Sequence, residues 1–419
     1  MKRSAPPVRA ARVLRPALTC AVLALAGRAA GAQDAGDPAP QQAGEPAAWR
    51  WVLPLEFSFD PPAPPAEPEA PWPRPQDVSP DAASGAPAES AADRRKQESP
   101  WMLVPVFSVD PKLGTSLGAL AGYLHYFDEE SKVSIFGVTA QYTSTGSVVA
   151  AAFGKASFDE DRQRIATLLM GGNIKNDYHD FLGTGLRVKT EDEIRGFVAR
   201  YLHRVVDDWF LGVQGVVTNF KTYGQDPFDT EVLNTLGLMG FDSGGIGLAV
   251  YHDSRDNENM PAHGWMLNAN NVAYRDWIAG SDSFDVYRAD LRVFVEEGGG
   301  HVLAIRQMNQ WTVDAPGSGE APVMLRGYKI GQYKGENMSS IEAEERLRLG
   351  KHWTATAFAG VAGIYGGGRS LSDSENLFPA AGLGIQYVLK PEAGIVLNLE
   401  YAVGKDGNYG VYLKLGYGF

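Results

Sequence analysis

In the C-terminal stretch YGVYLKLGYGF, residues 409–419, the odd positions are apolar and aromatic (Tyr409, Val411, Leu413, Leu415, Tyr417, Phe419), and the even ones are mostly small or charged (Gly410, Tyr412, Lys414, Gly416, Gly418). A period of two marks a strand with two unlike faces. The split recurs in GIVLNLEYAV, with Ile395, Leu397, Leu399 and Tyr401 opposite Asn398 and Glu400, and in VYRADLRVFVEE, with Tyr287, Ala289, Leu291, Val293 and Val295 opposite Arg288, Asp290, Arg292 and Glu296. A soluble sandwich also alternates, but it packs the apolar face and wets the polar one. Here Tyr and Phe flank the apolar stripes, while the other face carries both signs of charge and many glycines. That is the pattern of a barrel with lipid outside and a wet lumen within.

Sixteen such runs follow one another between turn residues, near 101–110, 115–127, 132–143, 146–157, 163–175, 190–205, 207–222, 244–256, 264–275, 283–296, 301–312, 338–349, 352–365, 378–390, 393–403 and 407–419. The expected fold is therefore all-β, a sixteen-stranded antiparallel transmembrane β-barrel over residues 101–419. An even count puts both ends on the periplasmic side. The long connections at 223–243, 313–337 and 366–377 then follow odd-numbered strands and fall on the outer surface.

Residues 1–32 read as a secretory signal peptide: Lys2, Arg3, Arg9, Arg12 and Arg15, an apolar run from Ala17 to Ala26, and Ala30-Gly31-Ala32 as a small-residue cleavage site. Residues 33–100 hold 15 prolines among mostly Ala, Glu and Ser, a composition that cannot bury enough apolar surface to offset chain entropy. They are expected to be a disordered periplasmic tether, with one apolar island at residues 51–59. The only cysteine, Cys20, lies in the signal, which leaves no disulfide and no thiolate metal site downstream. Loss of the signal removes six of the 38 basic residues and no acid, leaving 32 against 50, a net charge near −18 that repels nucleic acid. No segment has the 18 or so uninterrupted apolar residues of a spanning helix.

Three motifs resemble the BamA/TamA superfamily of bacterial surface-antigen barrels. VMLRGYKIGQYKG (323–335) followed by SSIEAEERLRL is similar to its Arg-Gly-Tyr/Phe motif in the long loop before the twelfth strand; YHDSRDNENMPAHGW (251–265) is similar to its strand end, with Asp253, Arg255 and Asp256; FLGTGL (181–186) and a terminal Phe419 also fit. The resemblance implies that the loop folds into the lumen, so that Arg326 meets a carboxylate, Gly327 permits a tight turn and Tyr328 packs on the wall. Planar Arg suits bidentate pairing. The family often places an aspartate in Phe-x-Asp-x-Gly on the following strand, whereas this chain has Phe358-Ala359-Gly360. Arg326 must then rely on Glu342, Glu344 or Glu400. Proline-rich residues cannot fold into the POTRA modules that precede the barrel in client-recognising members, so the chain resembles variants lacking them.

The resemblance also implies a weak seam between the first strand, WMLVPVFSVDP, and the last, with Pro105, Phe107 and Phe419 beside it. Pro105 would delete a hydrogen-bond donor there. An echo of this strand, WVLPLEFSFDP, begins at Trp51. Residues 51–59 are read as a spare edge strand able to occupy the seam or the lumen, against the alternatives of a duplication without a role and of a segment that docks on another protein.

No covalent chemistry is expected. GTSLG (114–118) matches a nucleophile elbow, which needs a strand-to-helix turn and a histidine; here it follows a hairpin turn, and an enzyme would require Ser116 beside a histidine such as His125. No cofactor is expected, and no metal: the histidines are scattered, and Arg255 interrupts the cation-like DSRDNEN. The fold and the resemblance together imply a protein of the Gram-negative outer membrane that assists insertion or translocation of protein or lipid. Its partners would be outer-membrane lipids, unfolded outer-membrane protein clients, and a periplasmic chaperone or the barrel-assembly machinery. A gated solute or ion pore is the rival from another class, with Arg288, Arg292, Lys414, Asp290 and Glu400 setting ion preference; a barrel-embedded lipase is a third reading.

Overall fold

The structure, a computed structural model, describes residues 100–110, 114–236, 238–257, 260–390 and 395–415. The expected signal peptide, nearly all of the expected tether with residues 51–59, and Phe419 lie outside the described residues. Sixteen strands close into one antiparallel barrel. They are β1 (Trp101–Asp110), β2 (Gly114–His125), β3 (Ser134–Thr143), β4 (Val148–Phe158), β5 (Gln163–Tyr178), β6 (Val188–Val206), β7 (Trp209–Gly224), β8 (Gly240–Asp253), β9 (Gly264–Tyr274), β10 (Phe284–Gly298), β11 (His301–Val313), β12 (Asn337–Arg348), β13 (Trp353–Tyr365), β14 (Leu377–Lys390), β15 (Ile395–Gly404) and β16 (Tyr409–Leu415). Every strand pairs with its sequence neighbours, and β16 returns to β1. The alternation predicted each of these strands, with ends displaced by a few residues. Among the described residues one α-helix, α1 (Pro227–Leu236), sits in the connection after β7.

Alternation resolves into two faces. Outward side chains stay exposed, among them Leu117 at 65%, Leu248 at 65% and Leu383 at 68%. Water would make such a continuous apolar band costly. The band ends at aromatic rings on both rims. At the rim where β1 begins, Trp101 meets Tyr123 at 5.0 Å and Trp353 meets Tyr387 at 4.6 Å, while His252 lies between Trp209 and Trp265. At the far rim Trp311 donates to the Tyr365 hydroxyl at 2.8 Å. Amphipathic rings at two levels are the signature of headgroup girdles.

The inward face departs from the uniformly wet lumen that the alternation suggested. It is mixed: Arg200 with Gln214 on β6 and β7, Asp290 with Arg292 on β10, and Glu342, Glu344 and Glu400 on β12 and β15 are polar or charged, whereas Leu120, Ile135, Leu168, Ile174 and Ile194 are buried in one apolar cluster that continues through Val272 and Tyr274 on β9 to Phe284 and Val286 on β10.

The tight turn between β4 and β5 shows how the near rim is held. Asp159, Glu160 and Asp161 all have φ between 56° and 60°, a left-handed run that costs about 1–2 kcal/mol per residue. Asp161 offsets that strain: its carboxylate accepts from Arg164 Nε at 2.8 Å, Arg204 Nη2 at 2.5 Å and Ser157 Oγ at 2.5 Å.

Candidate luminal loop site

The connection after β11, residues 314–336, turns into the barrel because its own sequence is apolar. Ala321, Val323, Met324, Leu325, Tyr328 and Tyr333 are buried against Met338, Ala362, Ile364, Phe378 and Ala380 of β12–β14. A two-residue ladder, Ala321–Pro322 with Lys334–Gly335, closes its neck. Removing such side chains from water is worth about 25 cal/mol per Å². That gain holds the loop in place and lets it carry a charge inward.

Arg326 is that charge. Its Nε donates to Glu342 Oε1 at 3.0 Å, and its Nη1 donates to Glu344 Oε2 at 2.7 Å and to Glu400 Oε1 at 2.9 Å. The guanidinium also lies 3.5 Å from the centre of the Phe358 ring on β13. All three carboxylates named from the sequence therefore surround Arg326 together, and an aromatic face takes the fourth side. The parity of β12 puts Glu342 and Glu344 on the lumen face, and β15 brings in Glu400 from the other flank.

Gly327 turns with φ of +97°, a left-handed value, and a Cβ there would lie 3.3 Å from the Val403 carbonyl carbon. Its N–H donates to the Tyr412 hydroxyl of β16 at 2.8 Å. Tyr328 donates to the Pro379 carbonyl at 2.6 Å and accepts from the Lys405 N–H at 2.8 Å. Three consecutive residues thus touch β12, β13, β14, β15 and β16. The loop staples the last five strands into one wall.

Arg346, an inward residue of β12 that sequence reasoning did not single out, extends the network. Its Nε donates to Glu344 Oε1 at 2.8 Å and its Nη1 to the Pro261 carbonyl at 3.2 Å. Pro261 belongs to the near-rim turn after β8, which carries the second motif. There Arg255 grips Asp253 through Nε at 2.7 Å and Nη2 at 2.9 Å, and Asp256 accepts the Ala262 N–H at 2.9 Å. A chain of charges and hydrogen bonds therefore runs from the inward loop to the opposite rim. Its signal in the sequence was parity alone: Arg346 shares a face with Glu344.

The third motif also meets the loop. Leu182 N–H donates to the Gln332 carbonyl at 3.2 Å, and Tyr333 OH donates to Asp180 at 3.1 Å. A second luminal ion cluster, Asp290 with Arg292 at 2.9 Å and with Arg306 beside it, sits on β10 and β11.

At the seam, Pro105 and Phe107 point outward, exposed, on β1. The β1–β2 ladder is in register along all ten residues of β1, whereas one registered pair, Val109 with Leu413, joins β1 to β16 among the described residues. Leu124 N–H donates to the Pro100 carbonyl, so even positions of β1 bond toward β2 and odd ones toward β16. Pro105 is odd, and its missing N–H is missing from the seam. Ser116 is buried and donates to Gln141 Oε1 at 3.3 Å. His125 lies nine residues along the same strand, roughly 30 Å away, against Tyr123 and Phe127.

No protein-family model matches the sequence, and no curated protein matches it. Solved structures do match the fold. BamA from Haemophilus ducreyi lacking POTRA domains 1–3 superposes with a TM-score of 0.53 at 11% identity, covering 76% of this chain and 71% of that one. CdiB from Escherichia coli gives 0.54 at 12% identity, covering 76% and 63%, and CdiB from Acinetobacter baumannii gives 0.51 at 12%, covering 75% and 60%. This chain spans less than two thirds of either CdiB chain. Its sixteen-stranded barrel has the fold of the BamA and CdiB barrels.

Proposed function

We propose that this chain is an outer-membrane barrel of a Gram-negative cell that assists insertion or translocation of protein, with the near rim in the periplasm and the far rim at the cell surface. The observation that carries the reading is the inequality of the two sides of the seam. On one side β16 belongs to a wall stapled by Arg326, Gly327 and Tyr328; on the other, β1 offers an edge interrupted by Pro105. A rigid wall beside a poorly donating edge is suited to parting there, and an exposed edge accepts an incoming strand by main-chain pairing. The anchored loop occupies the bore, which speaks against steady diffusion of solute. Unfolded barrel proteins, lipid at the seam, and a periplasmic chaperone or assembly machinery are the partners this reading calls for.

A disulfide across the seam tests it. In Val109→Cys/Leu413→Cys, with Cys20 replaced by serine, oxidation should abolish the acceleration that the protein gives to insertion of an unfolded eight-stranded barrel into liposomes. Reduction should restore it. Equal insertion with the seam locked and unlocked would remove the reading.

A further inference from the structure

The connection from β9 to β10 at the far rim, residues 275–283, is tied back to β8 by its own backbone. Arg275 N–H donates to the Gly244 carbonyl at 2.9 Å, and Ser281 N–H donates to the Asp242 carbonyl at 2.9 Å. Between these bonds the chain closes into a knuckle, in which Ile278 N–H donates to the Arg275 carbonyl at 3.0 Å and Gly280 N–H to the Asp276 carbonyl at 3.3 Å. Arg275 fixes its foot, donating to the Phe284 carbonyl at 3.2 Å and to Asp285 Oδ1 at 2.9 Å. Gly244 shows on which side of the wall the knuckle lies. Ser243 meets the inward Thr218 hydroxyl at 2.5 Å and Ile246 is 56% exposed on the outside, so by parity Gly244 belongs to the outward face. A Cβ at Gly244 would fall on the Ile278 carbonyl oxygen. The knuckle therefore leans over the outer face of β8, just beyond Ile246, and a glycine is what lets the two backbones meet.

We propose that this knuckle is a lipid anchor, which sets Trp277 into the headgroup level of the leaflet at the far rim. Trp277 lies in the turn beside Ile278 and is 75% exposed. On the next strands the far-rim girdle is made by Tyr287 of β10, in register with Trp311 of β11, which in turn bonds to Tyr365 of β13. The outward residues of β8 and β9 at that end are Gly244, Ile246, Asn271 and Ala273, with no ring among them. The knuckle stands beside this gap and brings an indole to it, continuous with a surface that already meets lipid. An indole suits the boundary between acyl chains and headgroups, because its body is apolar and its N–H can donate to a headgroup oxygen. The partner is thus the bilayer itself. The proposal rests on lipid meeting the outer wall and is independent of what the barrel inserts or translocates.

Depth-dependent quenching tests it. In the full chain with Cys20→Ser, a bimane is attached through Trp277→Cys, and the protein is reconstituted in phosphatidylcholine vesicles containing a phosphatidylcholine spin-labelled near its headgroup; iodide is the aqueous quencher. The ratio of lipid to iodide quenching at residue 277 should be at least threefold that of a bimane attached through Glu231→Cys, an exposed position on α1 at the same rim. Adding Gly244→Val, whose side chain claims the place of the Ile278 carbonyl, should lift the knuckle and bring the ratio down to the Glu231 value; Gly244→Ala, the smaller change, should lower it in the same direction. A bimane attached through Val213→Cys, in the middle of the apolar band, should stay shielded from iodide in all of these proteins, which shows that they have assembled. If the Val213 label is shielded while the 277 label is quenched mainly by iodide, the knuckle stands in water, free for a protein partner. Lipid quenching at 277 that survives both Gly244 variants would mean that this close approach does not lay the knuckle down. Either result overturns the proposal, and an iodide-quenched Val213 label in the parent would remove the lipid-facing wall and the anchor with it.

Discussion

Arg326 concentrates more interactions than any other side chain of the inward loop, and its environment sets the size of its effect. Three carboxylates and one ring surround it without bulk water, so truncation leaves buried negative charge uncompensated. Arg326→Ala should destabilise the folded barrel by about 3–5 kcal/mol, read by urea unfolding in lipid vesicles. Arg326→Lys keeps the charge but loses the fork that reaches Glu342 and Glu344 together, and a loss of roughly 1.5–3 kcal/mol is expected. Equal stability of all three proteins would show that the network contributes nothing. The residue and its acids were readable because a motif and a two-residue parity each pointed to the same lumen face. Parity placed Arg346 on the same face, but its bond to the Pro261 carbonyl was not readable, since a contact between a strand and a turn 85 residues away leaves no local pattern.

Asp161 supplies a pH-dependent contribution at the near rim, in a turn outside the membrane span. Burial pushes its pKa up, but bonds from Arg164 and Ser157 and the arginine's charge outweigh burial and hold it below the ordinary 3.8. Its pKa is thus lower folded than unfolded, so the stabilisation is complete above pH 3.8 and is lost as pH falls through the folded value. Asp161→Asn should be less stable than the parent at pH 7, and the difference should shrink on acidification below pH 3.8. A difference that persisted unchanged at low pH would assign it to packing rather than charge.

Among the elements, the strands were the most legible, because turn residues bound each run and lipid outside with a shared lumen inside imposes a period of two on many of them. The far-rim connections were legible only as long loops. Helix α1 is buried through Leu233 against Tyr178 and Phe181, and that tertiary packing is invisible to a strand-by-strand reading. The seam belongs to this scale too. Pro105→Val returns one odd-position donor to β1, an increment of about 0.5–1.5 kcal/mol. Amide exchange in Tyr409–Leu415, followed by mass spectrometry, should slow by about two- to tenfold. An unchanged exchange rate would show that the missing donor does not limit seam opening.

For the whole molecule, the alternation fixes which side meets oil, but it left the composition of the lumen only half read. The strands with the cleanest patterns carry Glu400, Asn398 and Arg292 inward and suggested water throughout. Val104, Leu120 and Ile135 face the same bore from strands whose outward residues are apolar as well, and a strand apolar on both faces shows no contrast to read. The lipid-facing exterior predicts that Val213→Arg, mid-strand and 54% exposed on β7, costs about 2–4 kcal/mol in a bilayer. A solvent-exposed site in water would tolerate arginine almost freely.

The most direct test is a nitroxide scan along β7 from Val213 to Phe220 in reconstituted protein. Labels at Val213, Gly215 and Val217 should collide with dissolved oxygen in preference to a water-soluble nickel chelate, and labels at Gln214, Val216, Thr218 and Phe220 should show no such preference; Asn219, registered with the outward Arg195, marks the end of the apolar band and is left out of the comparison. Odd positions relaxed mainly by the chelate would place water where this structure requires lipid, and would contradict the barrel reading.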